Sequence, residues 1–260
     1  MRPAAERGTG YAEVVGDPIA HSKSPLIHRF WLDALDLDAD YRAAHVAPDR
    51  LGAYIADRRD DPAWRGCNVT LPHKLAVLDH VGDPGGVRDS IGAANCVCRD
   101  AAGDWIATNT DAAGFHAPIA DLDLAGAPVA VVGTGGAARA VLFALSRTGV
   151  GPVTIVARNP IKAAGLLAVF GLAGDAVTLD APLPPAALLV NASSLGMTGQ
   201  PPLDLDLSTL PEGAVVYDLV YAPVETSLLA AARARGLAVV DGLDMLVGQA
   251  AAAFELFFGA

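Results

Sequence analysis

The sequence predicts an α/β fold in two domains, the second a doubly wound parallel sheet with helices on both faces. Three observations predict it. Apolar runs of strand length alternate with stretches of helical periodicity through the 260 residues. The pattern starts afresh at Val129–Val132, a continuous apolar run like that of a strand buried on both faces. From there strands and helices follow one another in the order that builds a doubly wound sheet. The expected division is residues 1–111 and 112–242, with a last helix at 243–260 completing the first domain.

Each element has a local reason. Tyr11–Val15 reads as a strand ended by Gly16-Asp17-Pro18. Leu26, Ile27, Phe30, Trp31, Ala34 and Leu35 repeat at helical spacing and make one apolar face. Tyr41–Val46 reads as a strand, Arg50–Arg59 as a helix and Gly66–Val69 as a strand; Pro72–His80 reads as a helix with proline in its first turn. Strands follow at Asn95–Cys98 and Trp105–Thr108. After Val129–Val132 come a helix ending near Gly149, strand Val153–Ala157, a helix from Ile161 and strand Leu188–Asn191. Strand Val215–Leu219, helix Thr226–Arg235 and strand Ala238–Val240 complete the second domain. Between Gly171 and Pro185 the pattern weakens to one short strand and loop. The last helix, from Leu243, is apolar at Leu246, Val247, Ala250, Phe254, Phe257 and Phe258, and is expected to pack back on the first domain.

Composition narrows the function classes. A hydrophobic fraction of 52% and mean hydropathy of +0.37 fill cores and exclude disorder. Asp, Arg, Gly or Pro interrupts every apolar stretch before it reaches spanning length, and Met1–Arg7 lacks the apolar segment of a signal peptide, so a cytoplasmic protein is expected. A net charge of −11 argues against nucleic acid and anionic membranes as partners. The expected partner is a small molecule, bound by a monomer or homodimer. Cys67, Cys96 and Cys98 cannot form a disulfide framework; Cys96-Val97-Cys98 reads as strand, and no metal is expected.

Gly133-Thr134-Gly135-Gly136-Ala137-Ala138 fits G-x-G-x-x-A directly after a strand. Gly133 permits the tight turn, Gly135 lets backbone approach a pyrophosphate, and Ala138 allows close helix–strand packing. The helix N-terminus supplies amide donors. A ligand-free turn is the alternative; three adjacent small residues where phosphate would approach count against it. The domain is therefore read as a Rossmann-like dinucleotide-binding domain. After the second strand, an NAD reader would carry Asp or Glu for the ribose hydroxyls. Here Ala157-Arg158-Asn159-Pro160-Ile161-Lys162 brings two cations a helical turn apart, which suits the 2′-phosphate of NADP.

In the first domain, Ser22 and Ser24 offer two hydroxyls in Gly16-Asp-Pro-Ile-Ala-His-Ser-Lys-Ser-Pro25. Ser24 before Pro25 also makes a natural helix N-cap, which leaves Ser22 unexplained. Asn68 and Thr70 lie two apart on an extended segment, so their side chains point the same way. Capping explains them as readily as ligand contact. Lys74 is placed just inside a helix start and Asp111 at a strand end; alone, each reads equally as a solvated lysine and a turn former. Gln249, on the edge of the last helix's apolar face, needs a polar partner. Tyr221 reads as a packed ring or a donor.

Taken in order, these segments resemble one family. Gly-x-Pro-Ile-Ala-His-Ser-Lys-Ser-Pro, Asn-Val-Thr-x-Pro-x-Lys, Gly-Ala-x-Asn, Asn-Thr-Asp, Gly-x-Gly-Gly-Ala, Asp-Leu-Val-Tyr and Met-Leu-Val-x-Gln together resemble the shikimate dehydrogenases, from about Tyr11 to Phe258. The resemblance implies an N-terminal substrate-binding domain and hydride transfer between NADPH and 3-dehydroshikimate. It implies substrate contacts at Ser22, Ser24, Asn68, Thr70, Lys74, Asn95, Asp111, Tyr221 and Gln249. Lys74 and Asp111 match the catalytic pair, the lysine as proton donor and the aspartate as its partner. Cofactor contacts carry over to Gly133, Thr134, Gly135, Gly136 and Ala137, and to Arg158, Lys162, Leu219 and Gly242. The chain departs from the pattern at Ala112 and Asp244, where the family usually has glycine, and it stops at Ala260, before the usual C-terminal extension. Two rival readings remain at this stage. One is quinate or dual quinate/shikimate oxidation, possibly with NAD; the other is a non-catalytic NADP-binding regulator.

Overall fold

In the computed structural model of the protein, residues 10–260 are described. The expectation drawn from Met1–Arg7 lies outside them. The chain divides into two compact units, one running to Thr110 and including Gln249–Ala260, the other Asp111–Gly248.

The first unit is a mixed five-stranded sheet in the order β2-β1-β3-β4-β5. Its strands are β1 Gly10–Gly16, β2 Ala39–His45, β3 Trp64–Val69, β4 Cys96–Arg99 and β5 Trp105–Thr108. The first three are mutually parallel, while β4 runs antiparallel to both β3 and β5. Helices α1 Ser24–Ala34 and α2 Leu51–Arg59 follow β1 and β2, and α3, Val87–Ser90, is a single short turn absent from the sequence reading. Every residue of β1 is buried, so one face packs Ala12 and Val14 with Leu32, Tyr41, Phe254 and Phe257. On the other face Glu13 lies 4% exposed and is satisfied by the Tyr54 hydroxyl at 2.8 Å and the Arg58 guanidinium at 2.7 and 3.2 Å.

The helix expected over Pro72–His80 does not form. Residues 71–75 are turns, followed by a 3₁₀ segment, Ala76–Asp79. The reason is a competing donor. In an α-helix the Lys74 carbonyl would take the amide of residue 78; here it accepts from Ala94 N at 2.7 Å. The Leu78 amide turns instead to the Leu75 carbonyl, at 3.4 Å.

The second unit is an all-parallel six-stranded sheet in the order β11-β10-β9-β6-β7-β8. Its strands are β6 Val129–Val132, β7 Val153–Val156, β8 Gly174–Val177, β9 Leu188–Asn191, β10 Val215–Asp218 and β11 Ala238–Val240. Counted from β6, that is the 3-2-1-4-5-6 order of a dinucleotide-binding fold, reversing direction between β6 and β9. Val129 and Val131 pack with helices α4 Asp111–His116, α5 Gly136–Ser146 and α6 Pro160–Phe170 on one face. Ala130 and Val132 pack with α7, Ser227–Ala234, on the other. Burial on both faces is why β6 is an uninterrupted apolar run.

The last helix, α8 Gly242–Phe258, contributes to both cores. Met245 belongs to the apolar cluster of the second unit with Phe115 and Tyr217, and Ala253, Phe254 and Phe257 to that of the first. No helix among the described residues is long and apolar enough to cross a membrane.

Candidate functional site

The topology of the first sheet gathers several of the polar candidates at one end. Because β4 runs against β3 and β5, its start lies beside their ends: Asn68 pairs with Cys96, and Cys96 with Thr108. The ends of β1 and β3, the residues before β4 and those after β5 therefore share that end of the sheet, and with it Asn68, Thr70, Asn95 and Thr110.

Asn95 is the hub. Its Oδ1 accepts from Thr110 N at 2.7 Å, and its Nδ2 donates to Thr110 Oγ1 at 2.8 Å and Gln249 Oε1 at 3.3 Å. Its carbonyl accepts from Val69 N at 2.8 Å and from Asn68 Nδ2 at 3.3 Å. Asn68 in turn accepts at Oδ1 from the Tyr41 hydroxyl at 2.6 Å. These side chains are nearly fully buried, so each bond replaces solvation that water no longer supplies. Thr110 and Tyr41 went unrecognised in the sequence. Thr110 lies inside the Asn-Thr-Asp segment and Tyr41 in no motif, and only long-range pairing reveals what their side chains bond.

Ser22 and Ser24 exchange the roles expected of them. The N-cap position of α1 is Lys23, with no side-chain cap, and Ser24 is the first helical residue, 5% exposed. Ser22 supplies the hydroxyl that accepts from Ser24 N, at 3.3 Å. Ser22 is thus tied to the helix start, and Ser24 has the buried hydroxyl.

Lys74 is half-buried in the turn after β3, its backbone fixed by the bond from Ala94. Asp111 is 4% exposed and opens α4, three residues beyond the end of β5. A carboxylate in the first turn suits the positive end of a helix.

In the second unit the glycine turn stands at the reversal of strand order, between β6 and α5. Gly133 has φ +114, and a Cβ there would sit 2.9 Å from the Ala192 carbonyl oxygen. Only glycine fits. A Cβ on Gly135, the N-cap of α5, would meet nothing within 4 Å, so the turn is open on the side where a ligand would approach. Thr134 and Ala137 are partly exposed beside it, while Gly136 and Ala138 are buried against the sheet. After β7, Asn159 caps α6 by accepting from Lys162 N at 3.0 Å. Arg158 and Lys162 are both exposed, and among the described residues their side chains make no hydrogen bond or ion pair. A turn needing glycine, an open backbone and two uncommitted cations fit a dinucleotide with an added phosphate.

A Cβ on Gly242 would lie 2.5 Å from the Leu219 carbonyl oxygen, so α8 begins pressed against the end of β10. Leu219 N donates to the Asn191 carbonyl at 3.0 Å, and Tyr221 follows, half-buried. Beneath them lies a buried polar cluster that the sequence reading missed. Asp218 accepts from Asn191 Nδ2 at 2.8 Å, Val220 N at 3.0 Å and the Thr226 hydroxyl at 2.6 Å. Burial raises the Asp218 carboxyl above its ordinary range, although these three bonds oppose the shift. Cys67, Cys96 and Cys98 are free and buried, and among the described residues no cluster of His, Cys, Asp and Glu could hold a metal.

Comparison with known proteins gives the family. Residues 14–97 match the shikimate dehydrogenase substrate binding domain, and residues 242–260 match the shikimate 5′-dehydrogenase C-terminal domain. A shikimate dehydrogenase (NADP(+)) of Sphingopyxis alaskensis is 70% identical over 250 residues, covering 96% of this chain and 91% of that protein. The crystal structure of shikimate 5-dehydrogenase from Thermus thermophilus with NADP(H) and shikimate superposes with a TM-score of 0.84 at 38% identity, covering 96% of this chain and 94% of that one. The ligand-free 5-ketofructose reductase of a Gluconobacter strain superposes with a TM-score of 0.85 at 31% identity, covering 98% and 94%. The shared architecture therefore carries more than one substrate, and sequence identity is the finer guide. By that guide, this chain belongs to the shikimate dehydrogenase family.

Proposed function

We propose that the protein catalyses the reversible, NADP-dependent reduction of 3-dehydroshikimate to shikimate. The observation that carries this reading is the 70% identity, over nearly the whole chain, with an NADP-dependent shikimate dehydrogenase. The bound nicotinamide would supply the hydride to the carbonyl carbon. As that bond forms, negative charge grows on the carbonyl oxygen. Lys74, as an ammonium group, would stabilise the charge and deliver a proton to the oxygen, completing the hydroxyl. Asp111 follows directly in the chain on Thr110, whose amide is bound to Asn95. It would accept from a substrate hydroxyl and favour the charged form of the lysine.

Ser22, Ser24, Asn68, Thr70, Asn95, Tyr221 and Gln249 are assigned to substrate recognition. An analogue lacking a hydroxyl would leave buried polar groups unpaired, and that penalty is the basis of selectivity. The Gly133–Ala137 turn would hold the pyrophosphate, Arg158 and Lys162 the 2′-phosphate, and Leu219 and Gly242 the nicotinamide end.

The test is nicotinamide absorbance with shikimate and quinate, each offered NADP and NAD. Fast turnover with shikimate and NADP is expected. A folded protein that turns over nucleotide with neither substrate is a binder and not this enzyme; faster turnover with quinate and NAD reassigns the substrate.

A further inference from the structure

Tyr41, on β2, belongs to no motif, yet its hydroxyl makes a 2.6 Å bond to Asn68 Oδ1 in a fully buried setting. On its other side Asn68 faces the Asn95 carbonyl, 3.3 Å from Nδ2. A carbonyl only accepts, so the nitrogen of the Asn68 amide must face Asn95 and the oxygen must face Tyr41. The two partners therefore exclude the flipped amide. One N–H of Asn68 remains beyond the bond to Asn95.

The support behind Tyr41 is rigid. The His28 ring stacks on the Tyr41 ring with centroids 3.9 Å apart and planes 6° from parallel, and Phe257 closes the cluster at 6.4 Å. Both His28 nitrogens are buried and lack hydrogen-bond partners among the described residues, so His28 does not compete for the Tyr41 hydroxyl.

We infer that Tyr41 is a positioning residue for substrate selection: by occupying Asn68 Oδ1, it presents Asn68 to the substrate as a donor, opposite a substrate oxygen that accepts. The inference rests on the assignment of Asn68 to the substrate site.

Tyr41→Phe keeps the ring stack and removes only the hydroxyl. With the melting temperature used to confirm folding, the expected result is a KM for shikimate raised about tenfold, the energy of one buried hydrogen bond. The KM for NADP should stay unchanged and kcat change less than KM. Asn68→Ala should raise the same KM, and the double variant should be no worse than Asn68→Ala alone. If Asn68→Ala raises KM and Tyr41→Phe does not, the inference is overturned while Asn68 keeps its assignment. If neither moves KM, both fall. Should Tyr41→Phe melt too low to assay, Asn68→Asp decides, because it keeps an acceptor towards Tyr41 and loses the donor. A KM raised at least as far as in Asn68→Ala supports the inference, and a wild-type KM overturns it.

Discussion

Asn191 and Asp218 end neighbouring parallel strands in register, and their fully buried side chains meet in a 2.8 Å hydrogen bond. Asn191 also lies in register with Val132, the residue before Gly133. Its Oδ1 holds the Ser193 amide and hydroxyl at 3.1 and 2.7 Å, and its Nδ2 also donates to the Leu195 carbonyl at 2.9 Å. Asp218 holds Val220 and the cap of α7. The pair thus fixes two loops at the edge of the sheet where the glycine turn stands.

Asp218→Ala should accordingly cost about 3 kcal/mol in chemical denaturation, since it strands several buried donors. Asp218→Asn should stay within about 1 kcal/mol, because an amide oxygen can accept from Asn191 and Val220 while its nitrogen donates to Thr226. The sign with pH follows from burial. A carboxyl raised in the folded state contributes stability below its unfolded pKa and loses it as pH rises. Asp218→Asn should therefore gain on the wild type as pH climbs above the ordinary carboxylate range. An Asn variant as unstable as the Ala variant would refute the account.

His28 gives the opposite pH dependence. Burial lowers its pKa from 6.5 to about 3. The unfolded chain takes up a proton near 6.5 and the folded chain does not, so stability is complete above that value and falls as pH drops towards 3. The loss amounts to about 2 kcal/mol by about pH 5. His28→Phe, which preserves the stack on Tyr41, should flatten the acid limb of a stability–pH curve without lowering stability at about pH 7. An unchanged acid limb would place the proton uptake elsewhere.

Much of the architecture is legible in the sequence for a physical reason. Stretches covered on both faces, such as Val129–Val132 and Leu188–Val190, have no solvent side and so read as unbroken apolar runs. Gly133 is legible because a positive φ against a backbone carbonyl admits no side chain. What stays hidden depends on distant partners. The Pro72–His80 pattern is a sound helix until the Ala94 amide takes the Lys74 carbonyl. Ser24 before Pro25 reads as the cap, yet the N-cap position falls on Lys23 and the hydroxyl that meets the helix start is that of Ser22. Asp218 and Tyr41 sit in strand patterns where a carboxylate or a phenol has no local signature of its partners. The polar network that orients the candidate site is therefore the part least visible in one dimension.

Arg158 and Lys162 are expected to discriminate between cofactors. Both are exposed and uncommitted, so removing either should leave the melting temperature unchanged. A charge-assisted bond to phosphate is worth about 1.5–3 kcal/mol, so Arg158→Ala should raise the KM for NADP about ten- to a hundredfold. The KM for NAD should hardly move. Equal losses with both nucleotides would show that the cations do not read the extra phosphate.

Gly133 and Gly135 separate folding from binding within one turn. Gly133→Ala forces a Cβ to 2.9 Å from the Ala192 carbonyl oxygen at φ +114, so it should destabilise the fold by about 2 kcal/mol or more. Gly135 has φ −82 and open space around its missing Cβ, so Gly135→Ala should fold normally. If the pyrophosphate approaches that backbone, the same methyl group should weaken NADP binding, measured by titration, about tenfold or more. Normal stability with normal NADP affinity in Gly135→Ala would mean that the phosphates lie elsewhere.

Lys74 offers the sharpest test of the chemistry, because its backbone and its amine answer to different partners. The turn around it is held through its carbonyl by Ala94, a bond that any residue at position 74 can make. Lys74→Ala should therefore fold and bind NADP as the wild type does, while losing the group that meets the developing alkoxide. Removing a positioned proton donor costs about 10²–10⁴-fold in turnover, and kcat should carry most of that loss. A loss confined to the KM for shikimate would instead make Lys74 a binding residue, and the proton would have to come from another group at the same end of the sheet.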